Sequence, residues 1–491
     1  MPASRILIVD LNNFAYYPTI AIGYMVAALR KAGYEVEILS PLAHGVPSAA
    51  REGQESYADH LMRRFSYSTR GWIDLPRRAL GQMRSKWRAR PERLVDAAML
   101  QAMRIKAPDA VLISTYTDSY QLVERLCEIT KEHHTPTLVG GPILNQRQVA
   151  MEWRELPGIA GIVGAEVEET LPAIVADLIA GNDLSVHAGV LLPHGESGPP
   201  ARVLQNVDGL PYPDYSDFPW DAYPERIVPI LVGRGCGWGR CTFCGDVVTA
   251  NGRGYRARSW PKVVEELTEQ SERYKTRNFT FLDIKLNSDP SLWRKLTTEL
   301  PEHLPNARWI ASVHVGPEED NGLSASQLRD AYASGLRRVT FGMESASQKL
   351  LDSMDKGTQI ERNTDFLRAA SDAGISVRCT VMQGYPGETP EDLRITAEYL
   401  RINSQWLDRV RVNRFNALVG TRFTTEYERD PAKFPGMVNL TWDYRYARST
   451  YDYLPSTTRA YRSGMRDLLS AVHAINRHPL KEVARAFDGV M

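Results

Sequence analysis

The sequence predicts an α/β protein: a doubly wound, Rossmann-like domain, then a partial barrel of six βα units, then a helical C-terminal region. Three observations carry this. In the first part of the chain, strand-like apolar runs alternate with helical patterns, the mark of a parallel sheet covered by helices. From Leu191 to Tyr223 prolines and glycines multiply and periodicity stops. A second series of strand and helix units follows. The boundaries so read are 1–185, a linker over 186–225, a barrel over 226–430 and a C-terminal region over 431–491. At 491 residues, more than one buried core is expected.

In the first domain, Ile6 to Asp10 reads as a strand, Tyr24 to Ala32 as a helix ending at Gly33, and Glu35 to Leu39 as a second strand. Ala110 to Ser114 and Thr137 to Val139 are further apolar runs, and Gly161 to Gly164 leads into a helix through Glu166 to Ile179. Ligands of doubly wound sheets sit beyond the carboxyl ends of the strands. Residues 46–106 are an insertion in which Arg63, Arg64, Arg77, Arg78, Arg84, Lys86, Arg88 and Arg90 interleave with Trp72 and Trp87. A helical excursion with solvated charges explains it better than a grip on an acidic partner.

The barrel strands are expected at Ile227 to Val232, Phe279 to Leu282, Trp309 to Val315, Arg338 to Phe341, Ser376 to Met382 and Arg409 to Phe415. Chemistry in such barrels sits at the carboxyl ends of the strands. After the first strand comes Gly233-Arg234-Gly235-Cys236-Gly237-Trp238-Gly239-Arg240-Cys241-Thr242-Phe243-Cys244-Gly245, which holds three of the five cysteines. Three thiolates on one short loop suit an iron–sulfur cluster with one iron left for a small molecule. Zinc competes, although a closed zinc site takes four ligands and the nearest downstream histidine, His303, is distant. A Cys241–Cys244 redox pair would need a thioredoxin-like surrounding, and none is present. Cys127 and Cys379 sit in apolar periodic segments and read as core residues in a reducing compartment.

With these residues in place, the loop and its barrel resemble the radical S-adenosylmethionine superfamily, and in particular members with an N-terminal cobalamin-binding domain. The resemblance implies a [4Fe-4S] cluster held by Cys236, Cys241 and Cys244, with S-adenosylmethionine on the fourth iron. One departure stands out: four residues, not the usual three, separate Cys236 from Cys241. Relatives that methylate ribosomal peptides carry similar longer loops with Trp-Gly and a Cys-Thr-Phe-Cys-Gly ending. Glu344, in Gly342-Met343-Glu344-Ser345, resembles the family's acidic contact to the nucleoside, and Gln383, in Gln383-Gly384-Tyr385-Pro386-Gly387-Glu388, a further cofactor contact. Asp283 and His314 are weaker candidates facing the same cavity.

In cobalamin domains an Asp-x-His-x-x-Gly loop usually supplies the histidine below cobalt. Here the loop is Asp10-Leu11-Asn12-Asn13-Phe14-Ala15, so that ligation is ruled out. The remaining signals fit: Ser114 and Thr115 end the third strand, Gly140 and Gly141 the fourth, and Gly164-Ala165-Glu166 is expected to open the last helix. Small residues there would admit the nucleotide tail of cobalamin, with backbone donors for its phosphate.

What the resemblance implies is a cobalamin-dependent radical S-adenosylmethionine methyltransferase acting on an unactivated carbon of a natural-product or peptide precursor. It would draw electrons from a flavodoxin- or ferredoxin-type donor. Cobalamin-dependent rearrangement or cyclisation without methyl transfer is the alternative enzyme reading, and a zinc- or cluster-stabilised cofactor-binding protein the non-catalytic one. Lysine plus arginine (59) equals aspartate plus glutamate (59), so no net field argues for nucleic acid. No window approaches the roughly 20 apolar residues of a membrane span, and a cytoplasmic location is expected.

Overall fold

The computed structural model describes residues 4–490 apart from 12–14, 49–52, 71–72, 74–90, 195–196 and 253. Of the basic insertion, Trp72, Arg77, Arg78, Arg84, Lys86, Trp87, Arg88 and Arg90 therefore lie outside the described residues, as do Asn12, Asn13 and Phe14 of the first loop.

The first domain has strands β1 (Arg5–Asp10), β2 (Glu35–Leu39), β3 (Ala110–Ser114), β4 (Thr137–Gly140), β5 (Ile159–Val163) and β6 (Val190–Leu191), in the order β2-β1-β3-β4-β5-β6. All pair in parallel except β6, which closes the edge against β5 antiparallel. Strand β1 is apolar on both faces because each face has its own core. Ile6 and Ile8 join Ile22, Val26 and Leu29 on one side, while Leu7 and Val9 join Met99, Val123 and Trp153 on the other. The helices are α1 (Ile20–Lys31), α2 (Tyr57–Ser66), α3 (91–106), α4 (Tyr120–Glu132), α5 (Arg147–Trp153) and α6 (Leu171–Ala180). Gly164 and Glu166 do not open a helix as expected: α6 starts only after Thr170, and the intervening residues form a loop.

The second sheet comprises β7 (Val228–Ile230), β10 (Asn278–Phe281), β11 (Arg308–Val313), β12 (Leu336–Glu344), β13 (Ser376–Gln383) and β14 (Arg409–Arg414), all parallel and in sequential order, with β14 and β7 at the open edges. A short antiparallel ribbon, β8 (Gly233–Arg234) with β9 (Arg256–Ala257), sits beside the first strand. Helices α7 (Trp260–Tyr274), α8 (Pro290–Thr298), α9 (Leu300–His303), α10 (Ala325–Ala333), α11 (Gln348–Ser353), α12 (Ile360–Asp372), α13 (Pro390–Ile402) and α14 (Arg422–Arg429) follow the strands. The start of α13 is written locally: Pro390 stands in its first turn, and Thr389 and Asp392 form a reciprocal capping box.

The expected linker is a packed seam. Asp214 pairs with Arg30 of α1 at 2.8 Å and with Arg273 of α7 at 2.8 Å, so one carboxylate joins the two domains. Tyr215 is fully buried and its hydroxyl donates to the Pro229 carbonyl at 2.9 Å. One apolar core runs through both, from Ile6 and Val26 to Val228, Phe281 and Trp309.

The C-terminal region is not wholly helical. An antiparallel hairpin, β15 (Met437–Asp443) with β16 (Arg448–Tyr453), precedes the long helix α15 (Arg459–Asn476). Aromatic and β-branched residues such as Trp442, Thr450, Tyr451 and Tyr453 favour strand there, and the density of arginine and tyrosine hid that pattern. Among the described residues, no helix is long and apolar enough to cross a membrane.

Candidate functional site

The cysteine loop is built by contacts that need no metal. Gly235 has φ +85°, and a Cβ there would lie 1.6 Å from the Gly254 carbonyl oxygen, so only glycine fits. The buried Asp283 carboxylate accepts the backbone N–H groups of Val232 (3.1 Å) and Gly233 (2.7 Å), fixing the approach to the loop. Burial pushes its pKa up to about 7 against the pull of those donors. Asp283 is thus a brace for the loop.

The extra residue between the first two cysteines has a visible use. Trp238 turns inward, its Nε1–H donating to the Asp355 carbonyl at 2.9 Å, and its ring covers Gly357, where a Cβ would come within 2.1 Å. The Arg240 guanidinium stacks on that ring, 4.9 Å from its centroid. Further on, the Thr242 N–H donates to the Met354 carbonyl at 2.9 Å, and its hydroxyl meets that of Tyr385 at 3.0 Å.

Cys236, Cys241 and Cys244 are free and half-buried. Burial pushes the Cys244 thiol up to about 12 and raises that of Cys241, so neither ionises readily without a cation to bind. Among the described residues, the only group of three ligating atoms all within 4.8 Å of one another is Glu55, His60 and His473. Three free thiols on one short loop are a donor set that suits an iron–sulfur cluster.

Facing the loop is Lys356, only 8% exposed. Burial opposes its charge, but Cys241, Glu344, Cys244 and Cys236 together hold its pKa above the usual range. Glu344 lies at a bulge where β12 shifts register against β13, in a left-handed conformation of φ +61°. Its carboxylate accepts from Thr380 Oγ1 at 3.1 Å and stands 3.9 Å from Lys356 Nζ. A Cβ on Gly342 would come within 2.4 Å of that carboxylate, so the glycine leaves it room to fold back. Burial raises the Glu344 pKa, and Lys356 and Thr380 oppose the rise.

Between the carboxyl ends of the two sheets lies a cavity of about 550 Å³. Ser114, Thr115, Gly140 and Gly141 line it from the first domain, and Gly233, Arg234, Asp283 and Ser312 from the barrel. Gly141 must be bare, because a Cβ would lie 2.3 Å from the Thr115 carbonyl; at Gly140 the nearest atom is 3.5 Å away, so the fold does not demand that glycine. The open, small-residue floor suits a large planar group. Gly164 is not in the lining and packs on the Leu144 backbone. Glu166 lines the cavity with its oxygens engaged by Arg234 (2.9 Å), Arg256 (2.6 Å) and the Leu204 N–H (2.6 Å). Glu166 therefore clasps the domains together.

Residues 230–400 match the Radical SAM superfamily. The barrel is a radical SAM domain. The whole chain is similar in fold to the structure of the radical S-adenosylmethionine methyltransferase TsrM from Kitasatospora setae, described with cobalamin and a [4Fe-4S] cluster bound. The TM-score is 0.67 at 16% identity, covering 96% of this chain and 91% of that one. In sequence it is similar to an uncharacterized methyltransferase of Pyrococcus horikoshii, 28% identical over 305 residues, covering 60% of this chain and 64% of the relative. It is also similar to the anaerobic magnesium-protoporphyrin IX monomethyl ester cyclase of Rubrivivax gelatinosus, 26% identical over 309 residues, covering 60% and 54%. The chain thus spans less than two thirds of the length of these curated relatives.

Within the radical SAM domain, Gln383 ends β13, lines a second, larger cavity and accepts from the Tyr461 hydroxyl at 3.3 Å. His314 packs against Trp238 with centroids 5.8 Å apart; burial, with Lys356 and Lys285 nearby, takes its pKa down to about 2, so it is a neutral ring. Sequence reasoning missed Lys356, Arg234 and Glu168. Arg234 stood in the quoted loop, but its partners Glu166 and Glu168 lie 68 and 66 residues away in the other domain, and no local pattern marks such a pairing.

Proposed function

We propose that this protein is a cobalamin-dependent radical S-adenosylmethionine methyltransferase that methylates an unactivated carbon of a natural-product or peptide precursor. The observation that carries the reading is one cavity lined from both domains. Ser114, Thr115, Gly140 and Gly141 line it from the doubly wound domain, and Gly233, Arg234 and Gly235, which lead directly into the three-cysteine loop, line it from the barrel.

Together the cofactors would supply a 5′-deoxyadenosyl radical for hydrogen removal and a methyl group for transfer. The chain's own part is placement. Cys236, Cys241 and Cys244 hold the cluster, Lys356 balances thiolate charge, and Glu344 accepts hydrogen bonds from S-adenosylmethionine. Gln383 contacts S-adenosylmethionine or substrate from the end of β13. Ser114, Thr115, Gly140 and Gly141 admit cobalamin, with Gly164 and Glu166 holding the loop beside it in place. A flavodoxin- or ferredoxin-type protein delivers the electron.

Anaerobically reconstituted protein is expected to absorb as a cluster protein and to form 5′-deoxyadenosine with reductant, with a product heavier by one methyl group. Joint replacement of Cys236, Cys241 and Cys244 by alanine is expected to abolish both iron retention and 5′-deoxyadenosine while leaving the circular dichroism of the fold. Retained 5′-deoxyadenosine formation in that variant refutes the site. Similarity to the cyclase favours one second reading, ring formation without methyl transfer. An unchanged methyl count with two hydrogens lost would select it.

A further inference from the structure

The larger cavity, of about 1240 Å³, opens at the carboxyl ends of β13 and β14, between α2 of the insertion and α15. Among the described residues six arginines line it, Arg64, Arg70, Arg414, Arg459, Arg462 and Arg466, and no aspartate or glutamate does. In a chain whose charges balance overall, that local excess is not a matter of composition.

Among the described residues no carboxylate reaches any of the six, and the contacts they make are to neutral atoms. Arg462 donates to the Thr457 carbonyl at 2.5 Å, Arg466 to Ser463 Oγ at 3.4 Å, and Arg414 to the Ser66 carbonyl while stacking on Tyr67. Arg63, one residue before Arg64 and turned away from the cavity, does find a carboxylate, Glu55 at 3.4 Å. The arginine on one side of α2 thus has a carboxylate partner, Glu55 just ahead of the helix, and the arginine on the cavity side has none among the described residues. Beneath the floor, the buried Glu388 is occupied by the Gly384 N–H at 2.8 Å and by the Tyr461 hydroxyl, so it does not neutralise the arginines. The Tyr451 and Tyr67 hydroxyls donate to backbone at 2.7 and 2.8 Å, which leaves their rings as apolar wall.

Guanidinium groups bind phosphate and carboxylate through paired N–H donors, and several around one space favour a ligand of several negative charges. We propose that this cavity receives the anionic end of the substrate, a small organic phosphate, phosphonate or polycarboxylate. The proposal rests on the functional reading above for the word substrate and on the arginines alone for the chemistry.

The test is equilibrium binding of pyrophosphate and of citrate to the anaerobically purified protein at low and high sodium chloride. At least one should bind saturably and more weakly as salt rises. Arg462→Ser with Arg466→Ser should weaken it by at least about tenfold, as loss of charged hydrogen bonds implies. Arg64→Gln, on the opposite wall, gives a second variant should the first not fold. Arg294→Ser with Arg394→Ser, exposed on α8 and α13, should leave binding unchanged. Tighter pyrophosphate points to a phosphorylated substrate and tighter citrate to a polycarboxylate. The proposal is overturned if neither saturates, if the control loses as much, or if only an acidic peptide such as polyglutamate binds. Anion binding without 5′-deoxyadenosine formation would sink the functional reading and leave this one; 5′-deoxyadenosine formation without anion binding would do the reverse.

Discussion

At the scale of single residues, buried carboxylates set how this protein responds to pH. Burial pushes Glu388 up to about 7 from an ordinary 4.5, although Tyr461 and the Gly384 N–H favour its ionised form. Below pH 4.5 it is neutral whether folded or not. Between 4.5 and about 7 only the unfolded chain releases the proton, so its contribution to stability falls as pH rises, and above 7 the loss is complete. Melting temperature measured across that window should decline in the parent, and less steeply in Glu388→Gln, whose amide oxygen can still accept from Tyr461 and Gly384. The three loop cysteines stood out in the sequence because they fall within nine residues. Lys356 was not, because a lysine gains meaning only from the thiols and Glu344 that the fold brings around it.

Among the elements, the loop and its clamp on the β12–α12 connection are the most sensitive to small changes. Gly357 has φ +66° and faces the Trp238 ring, so Gly357→Ala strains the backbone and displaces the indole at once. A loss of more than about 1 kcal/mol is expected in denaturant unfolding, together with reduced iron content after reconstitution. An intact iron content would show that Trp238 does not position the cysteines. Every barrel strand was legible, since β-branched and aromatic residues concentrate in short runs such as Asn278–Phe281 and Arg308–Val313 between helical segments. The β15–β16 hairpin was not, although Val438, Leu440 and Trp442 alternate with Asn439, Thr441 and Asp443, because the density of arginine and tyrosine around it drew the reading toward helix. The start of α6 was misjudged for a different reason: Glu166 looked like a residue of a first helical turn, and Arg234 and Arg256 hold it in a loop instead.

For the whole molecule, the domains are joined by buried charge and by a common core. Arg234 is 5% exposed and pairs with both Glu166 and Glu168 across the boundary. Arg234→Met should cost about 3–5 kcal/mol in chemical unfolding, since it leaves two carboxylates buried beside Arg256 alone. An effect below about 1 kcal/mol would mean that the pairs are solvated in practice. Calorimetry should show one transition for both domains, and proteolysis near Asp214 and Tyr215 should be slow, because that segment is packed and not free. Two separated transitions would contradict the shared core. Proline and glycine content suggested a linker, yet Asp214 and Tyr215 within it are packed; composition reports the absence of regular structure and says nothing of burial.

The indole of Trp238 closes over Gly357, held by the Asp355 carbonyl and covered by Arg240. With Asp283 bracing the loop's entry and Thr242 bonded at its far end, most of the loop's conformational entropy has been surrendered during folding of the chain. Under the proposed function, iron and sulfide would meet a receptacle already shaped. Loss of a cluster would leave that receptacle standing, and its rebuilding would be refilling with no refolding step.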